Sequence, residues 1–285
     1  MVSAVAQGYL APVWWQCYNA AASITFKKSL LHGLRRSHRF FTFFLRNLGN
    51  LWIDTTMTNY GSDRAWPFAE GGGGTIAFFT ILLATAVFLW FQFTNWITGL
   101  FLLLAAFLWL LILYFFRDPN RHINAQPGLV LGPGDGEVVE IVTETEGRYL
   151  QAEVIRMSMF LDITDVHVQR VPLTGKVILV QRQPGKFLQA FRPEASEVNE
   201  FIAMITESEG YGRILTKQIA GIVARRCLNY LKPGDEVQTG QRFGLIRFSS
   251  RVDLFLPPTA QMLVKVGDKV TGGITPIAQL PKSYE

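Results

Sequence analysis

Residues Gln241 to Pro257 read QRFGLIRFSSRVDLFLP: two β-type runs, Phe243 to Phe248 and Val252 to Leu256, with the adjacent hydroxyls of Ser249 and Ser250 between them. Such runs, separated by turn-forming residues, predict two strands joined by a tight connection or a bend. Serine suits that connection because its hydroxyl bonds nearby backbone, so on local chemistry alone the pair reads as a plain turn.

On either side of this stretch the chain repeats itself. Lys232-Pro233-Gly234-Asp235-Glu236-Val237 with Gly240 is echoed by Lys265-Val266-Gly267-Asp268-Lys269-Val270 with Gly272 or Gly273. The pattern K-x-G-D-x-V-x-x-G resembles the hairpins of lipoyl and biotinyl carrier domains, which implies barrel-sandwich β elements. Those carriers present a lysine beside methionine at a hairpin tip, and no Met-Lys-Met segment occurs here. The repeat therefore speaks to fold and not to a swinging arm.

Upstream as far as Val130, strand-like runs alternate with glycine turns at Gly134-Asp135-Gly136, Gly147, Gly175 and Gly185. There is no Rossmann or P-loop pattern and no strand-helix alternation. Helical periodicity is predicted over Ser196 to Met204 and is compatible with Ile219 to Tyr230. Residues 117–285 thus read as one mostly β (α+β) domain of 169 residues, an ordinary domain size.

Before it, Gly71 to Phe116 runs 46 residues without Asp, Glu, Lys or Arg. This predicts a transmembrane hairpin over 71–116, with helices at about Ile76 to Phe93 and Trp96 to Phe116 that span about 27 and 31 Å. Thr94 and Asn95 form its tip, and Trp90 and Trp96 suit the far interface. Asp118-Pro119 should end the second helix, because proline disfavours the α conformation in the residue before it. Arg117 and Arg121 flank the pair while the tip is uncharged, so both ends face the cytoplasm or its organellar equivalent. Having no acid or base, the hairpin reads as an anchor and not as part of any chemistry.

Residues 1–70 form a basic extension, with seven Lys/Arg against three acids. Lys27, Lys28, Arg35, Arg36, Arg39 and Arg46 alternate with apolar residues at helical spacing, which fits a surface amphipathic helix. An unstructured tail and an organellar transit peptide are the alternatives. The remainder is near neutral, 20 basic against 19 acidic residues, which argues against nucleic acid as partner. Cys17 and Cys227 lie far apart, without metal-ligand spacing or a disulfide framework.

Several blocks resemble the short pyruvoyl-dependent phosphatidylserine decarboxylases. Arg247 to Asp253, R-F-S-S-R-V-D, is similar to their self-cleavage block R-F-G-S-R-V-D. Asp165 to Pro172 matches D-x-H-x-x-R-x-P, Pro133 to Gly136 is similar to P-A-D-G, and Ile219 to Arg226 fits I-A-G-x-x-A-R-R. Asn199-Glu200 matches the start of N-E-R-N-A, and Phe115 to Arg121, FFRDPNR, is similar to the block that joins hairpin to catalytic domain.

The resemblance implies cleavage between Ser249 and Ser250, into pieces of 249 and 36 residues that stay together as a heterodimer. Ser250 would become a covalent pyruvoyl cofactor, which condenses with the amine of phosphatidylserine in the bilayer and withdraws electrons as carbon dioxide leaves. Phosphatidylethanolamine would be released. His167 is implied to position the substrate carboxylate or reprotonate the carbanion, and Asp135 to serve as a relay aspartate. Read locally, His167 fits a structural strand histidine sharing a face with Asp165 and Gln169, and Asp135 fits a turn. Arg225 and Arg226 suit phosphate contact or structural pairing. Two residues depart from the family: Ser249 stands where glycine is usual, and Arg170 where longer members have a second histidine, which leaves the base for cleavage open. An unprocessed pseudoenzyme acting as a membrane-anchored scaffold is the rival reading, and a carrier or adaptor on a membrane stem a further one. A homo-oligomer is left open.

Overall fold

The computed structural model describes residues 67–186, 188, 195–221, 227–246 and 250–282. Outside them lie residues 1–66 of the basic extension, with Cys17, as well as Ser249, Arg225 and Arg226. Among the described residues, Ala84–Leu102 belong to a different compact unit from the rest.

Two apolar helices come first, α1 (Gly73–Gln92) and α2 (Trp96–Phe115). Twenty residues at 1.5 Å give each about 30 Å, the thickness of a hydrocarbon core. Little of either is buried: Phe78, Phe91, Leu103 and Phe107 stand exposed, unlike a core helix of a soluble domain. Asn95 caps α2, its Oδ1 accepting from Ile97 and Thr98 N at 3.0 and 3.1 Å, as a short polar side chain does at a helix start. Lower down, Trp109 Nε1 donates to Thr80 Oγ1 at 3.0 Å, which ties the two helices together. The end of α2 at Phe115 falls just before Asp118-Pro119, as expected.

The remainder is β. An eight-stranded antiparallel sheet has the order β13-β2-β3-β11-β7-β6-β5-β9, from β2 (Gly136–Glu146), β3 (Ala152–Leu161), β5 (Gly175–Gln183), β6 (Phe201–Ser208), β7 (Gly212–Ile219), β9 (Glu236–Val237), β11 (Ser250–Leu256) and β13 (Lys269–Val270). Two three-stranded sheets accompany it: β1-β14-β12 and β4-β10-β8. Their strands are β1 (Leu129–Leu131), β14 (Pro276–Gln279), β12 (Gln261–Met262), β4 (Val168–Arg170), β10 (Arg242–Ile246) and β8 (Cys227–Asn229).

The repeat proves to be the trace of a whole-domain duplication. In the first copy Gly136 opposes Val270; in the second Gly175 opposes Val237. The β2–β3 ladder is interrupted between Val138 and Glu140, the β5–β6 ladder between Val177 and Leu179, at the same place. Both glycines are obligatory for one reason: a Cβ would stand 2.3 Å from Phe160 O at Gly136 and 2.3 Å from Glu207 O at Gly175. Gly234 and Gly267, with φ of 99° and 92°, shape the two K-x-G-D turns, and in each the aspartate carboxylate accepts from the lysine N. The axis falls between β11 and β7. The interior of the first lobe is apolar, with Val130, Val138, Met157, Leu256 and Ala278, and this cluster also takes in Leu173 and Ile214 of the second.

Three expectations are corrected. The helix at Ser196 to Met204 is a four-residue turn, Ala195–Val198 (α3), followed by strand β6. Phe201 to Thr206 are buried without interruption, so the residues never alternate as a half-buried strand would. Of Ile219 to Tyr230, the described ends carry β7 and β8, both strands, while residues 222–226 lie outside the described residues. Asp165, His167 and Gln169 do not share one strand face, because Asp165 lies in a turn where its Oδ2 accepts from Asp162 N at 2.8 Å. The strand itself starts only at Val168.

Candidate active site

Ser250 opens β11, the strand that fills the centre of the large sheet between β3 and β7. Its cross-strand partner is Leu161, and its Oγ is buried without a hydrogen bond. Buried hydroxyls are nearly always paired. Only four buried side-chain polar atoms among the described residues lack a partner, namely Tyr149 Oη, Thr206 Oγ1, Ser250 Oγ and His167 Nε2. Two of the four belong to residues singled out from the sequence.

His167 sits immediately before β4. Its Nδ1 is 2.9 Å from Asp165 O; a carbonyl can only accept, so Nδ1 carries the proton and the lone pair lies on Nε2. Burial is the main cause that pushes its pKa down to about 4, with the Asp165 carbonyl and the charge of Asp135 opposing and the charge of Arg117 assisting. At neutral pH the ring is therefore uncharged, with a free basic nitrogen in a dry setting. Phe115, the last residue of α2, packs against it with ring centroids 4.3 Å apart and planes inclined by 41°.

The chain links the two residues through β10. Ile246 N donates to His167 O at 3.3 Å, and Ser250 follows four residues later, within about 14 Å of Ile246 along the chain. The turn at Pro133 to Gly136 lies against both neighbourhoods: a Cβ on Gly134 would meet Leu161 Cδ2 at 3.6 Å and Gln169 Cγ at 4.0 Å. Asp135, on that turn, is not hydrogen-bonded to either residue. Its carboxylate accepts from both terminal nitrogens of Arg121, at 2.7 and 2.8 Å, and from Gly272 N at 2.8 Å. In the second lobe Thr174 occupies the matching position, and its Oγ1 accepts from Thr239 N at 3.0 Å. Asp135 thus does a turn-bonding job common to both copies and binds Arg121 in addition.

Arg170 is held by structural hydrogen bonds. It donates to Gly240 O and Pro119 O, both at 3.0 Å, and reaches Asp118 Oδ1 at 3.4 Å. Burial, with Arg242 and Arg121 close by, lowers its pKa to about 10, which leaves it cationic at neutral pH. Asp118 also accepts from Arg242 Nε at 2.7 Å, and Arg242 reaches Asn120 Oδ1 at 2.9 Å. The RDPNR segment is in this way locked into the domain by buried charge. Pairing with Asp135 also removes Arg121 from the free cations flanking the helices.

Sequence reasoning missed Phe115 as a neighbour of His167, and the residues that hold His167 from behind. Gln169 Nε2 donates to His167 O at 2.8 Å, Gln218 Nε2 to Gln169 Oε1 at 3.0 Å, and Asn229 Nδ2 to Gln218 Oε1 at 3.4 Å. Also missed was the pair next to Ser250, Arg251 Nε to Asp253 Oδ1 at 2.7 Å, with Ser196 Oγ on Asp253 Oδ2 at 2.7 Å. Among the described residues no group of His, Cys, Asp and Glu is placed to hold a metal ion.

Residues 108–278 match the family described as phosphatidylserine decarboxylase. Relatives named phosphatidylserine decarboxylase proenzyme include one from Cupriavidus pinatubonensis, 41% identical over 220 residues, covering 76% of this chain and 94% of the relative. A second, from Symbiobacterium thermophilum, is 38% identical over 219 residues, 77% of this chain and 95% of the relative. One from Desulfotalea psychrophila is 39% identical over 184 residues, 65% and 84% of the two chains.

Proposed function

The chain belongs to the phosphatidylserine decarboxylase family, and from that premise we propose that it converts phosphatidylserine to phosphatidylethanolamine and carbon dioxide after cutting itself between Ser249 and Ser250. The observation that carries the proposal is the pair of buried, unpartnered atoms, Ser250 Oγ and His167 Nε2. Leaving such groups unpaired costs about 1 to 3 kcal/mol each, a cost that a reacting group has reason to bear.

In the cut, Ser250 Oγ attacks the carbonyl carbon of residue 249; the C–N bond breaks as an ester forms, and the freed amine takes the hydroxyl proton. Loss of the Ser250 Cα proton expels the carboxylate of residue 249, and water then replaces the amine as ammonia leaves. The resulting pyruvoyl group supplies a carbonyl that accepts the electron pair released on decarboxylation. The seven ladder positions of β11 against β3, and five against β7, would keep this new end in place. With β12, β13 and β14 also paired to the larger piece or to each other, the two pieces stay together as a heterodimer without a peptide link.

His167 acts at Nε2. As a neutral imidazole it first accepts a proton, and a substrate carboxylate brought beside it raises its affinity for that proton. The same proton goes to the carbon that loses carbon dioxide. Asp135 supports this electrostatically, since its charge makes His167 more basic. The helices α1 and α2 hold the domain on the cytoplasmic face of a membrane, where a diacyl substrate lies.

Ser250→Ala and His167→Ala separate the steps. On a denaturing gel Ser250→Ala should be one chain and make no product. His167→Ala should be cut yet slower in turnover by roughly 10²- to 10⁴-fold, the usual worth of a positioned acid-base group. A His167→Ala enzyme with full activity would remove His167 from the mechanism.

A further inference from the structure

The two lobes allow a comparison within one chain. In the first small sheet Val130 and Met262 flank Ala278; in the second Gln169 and Asn229 flank Gly244. On the large sheet Leu256 opposes Ile155 in the first copy, and Gln218 opposes Ile202 in the second. Val130, Ala278 and Leu256 lie in one apolar cluster, with Met262 packed on it. The fold is therefore satisfied by apolar residues at all four places. The second lobe nevertheless has three amides and a glycine there, and Gln169 and Gln218 are fully buried. Gly244 is smaller than its counterpart for a local reason, since a Cβ would stand 2.5 Å from Gln218 Nε2 and 2.3 Å from Leu228 O.

We propose that Gln169, Gln218 and Asn229 are positioning residues for His167. Their bonds run one way, from Asn229 to Gln218, to Gln169 and finally to the carbonyl of His167. That carbonyl also accepts from Ile246, and the His167 ring is tied to Asp165 O, so the backbone on both sides of the ring is fixed. Burying amides confers no packing advantage over the apolar set of the other lobe, and each destabilises the fold if left unpaired. What the chain of amides adds is a fixed orientation for Nε2. A misplacement of about 1 Å can cost 10²-fold in rate.

The proposal rests on His167 serving the decarboxylation, so His167→Ala belongs in the same experiment. The triple variant Gln169→Val/Gln218→Leu/Asn229→Met transplants the first lobe's residues and removes all three amides at once. Replacing hydrogen-bonding partners together by apolar groups of similar shape is close to neutral for stability, apart from Leu231 N, which loses Asn229 Oδ1 as its acceptor. Thermal unfolding, the cut fraction, and kcat and KM per cut chain on phosphatidylserine in detergent micelles are measured for each protein. The triple variant should melt near the wild type and be cut, with kcat lowered roughly 10- to 100-fold and KM little changed. Wild-type kcat in a folded, cut triple variant overturns the proposal. Should that variant fail to fold, Gln169→Val decides alone, because Gln218 Nε2 keeps Leu228 O as an acceptor. The same fall in kcat at unchanged melting temperature supports positioning; a kcat that is unchanged, or falls only together with stability, refutes it. Full activity in His167→Ala would place the fault in the assignment of His167 and not in the amides.

Discussion

Replacing Phe115 by alanine tests whether the end of α2 belongs to the active site. The ring is 2% exposed and packs on His167 with centroids 4.3 Å apart. Its loss should cost about 3 to 5 kcal/mol of stability, survivable for a domain at the upper end of the usual 5 to 15 kcal/mol. The larger effect is on the imidazole. Burial is the main reason its pKa lies at about 4 and not at the ordinary 6.5, a difference worth about 3 kcal/mol at 1.36 kcal/mol per unit. Water entering where the ring stood returns part of that, so the group titrates at higher pH. The acid limb of kcat/KM reports the pKa of the free enzyme's essential base. Initial rates of carbon dioxide release from micellar substrate, taken from about pH 4 to about pH 8, should place the wild-type limb near the low end and the Phe115→Ala limb roughly one to two units higher. Ile112→Ala, in the same apolar cluster one turn earlier, should lower stability without moving the limb. An unmoved limb in Phe115→Ala, or an equal shift in Ile112→Ala, would refute the reasoning.

Stability should also depend on His167. Because its folded pKa is depressed, the unfolded chain binds a proton that the native state refuses; the contribution is complete above about pH 6.5 and is lost as pH falls towards about 4. Melting curves across that window should show a steeper fall for the wild type than for His167→Gln. Asp118→Ala leaves Arg242 and Arg170 without their carboxylate in a buried site, and should cost about 3 to 5 kcal/mol in urea unfolding. Gly244→Ala should destabilise by about 1 to 3 kcal/mol or more, since the added Cβ meets Leu228 O at 2.3 Å. The reverse change in the other lobe, Ala278→Gly, should cost less than that in the same assay.

The two apolar helices were legible because 46 consecutive residues carry no charge, and the ends of α2 fell within a residue of the expected ones. The β class was legible from its glycine turns, and half of the duplication from K-x-G-D-x-V-x-x-G. The other half was hidden: Pro133 to Val138 and Pro172 to Val177 share only Pro, Gly and Val, and the shared glycine is explained only when a carbonyl is seen against it. Strand β6 misled because a strand buried on both faces has no period of two. At the site, Ser250 and His167 came from motif resemblance, not from local chemistry. Their supporting residues could not, since Gln169, Gln218 and Asn229 are brought together from three strands and each alone is an ordinary amide. Phe115 read as one more apolar residue of a long apolar helix, although its ring packs on the imidazole of His167.

The most direct test of self-processing is the intact mass of the purified protein under denaturing conditions. Two chains are expected in equal amount, residues 1–249 and the 36-residue piece beginning at Ser250. Their summed mass should equal that of the uncut chain plus one water less one ammonia, the balance of cleavage and pyruvoyl formation. A single species at 32.1 kDa, from protein that is folded and inactive, would contradict it.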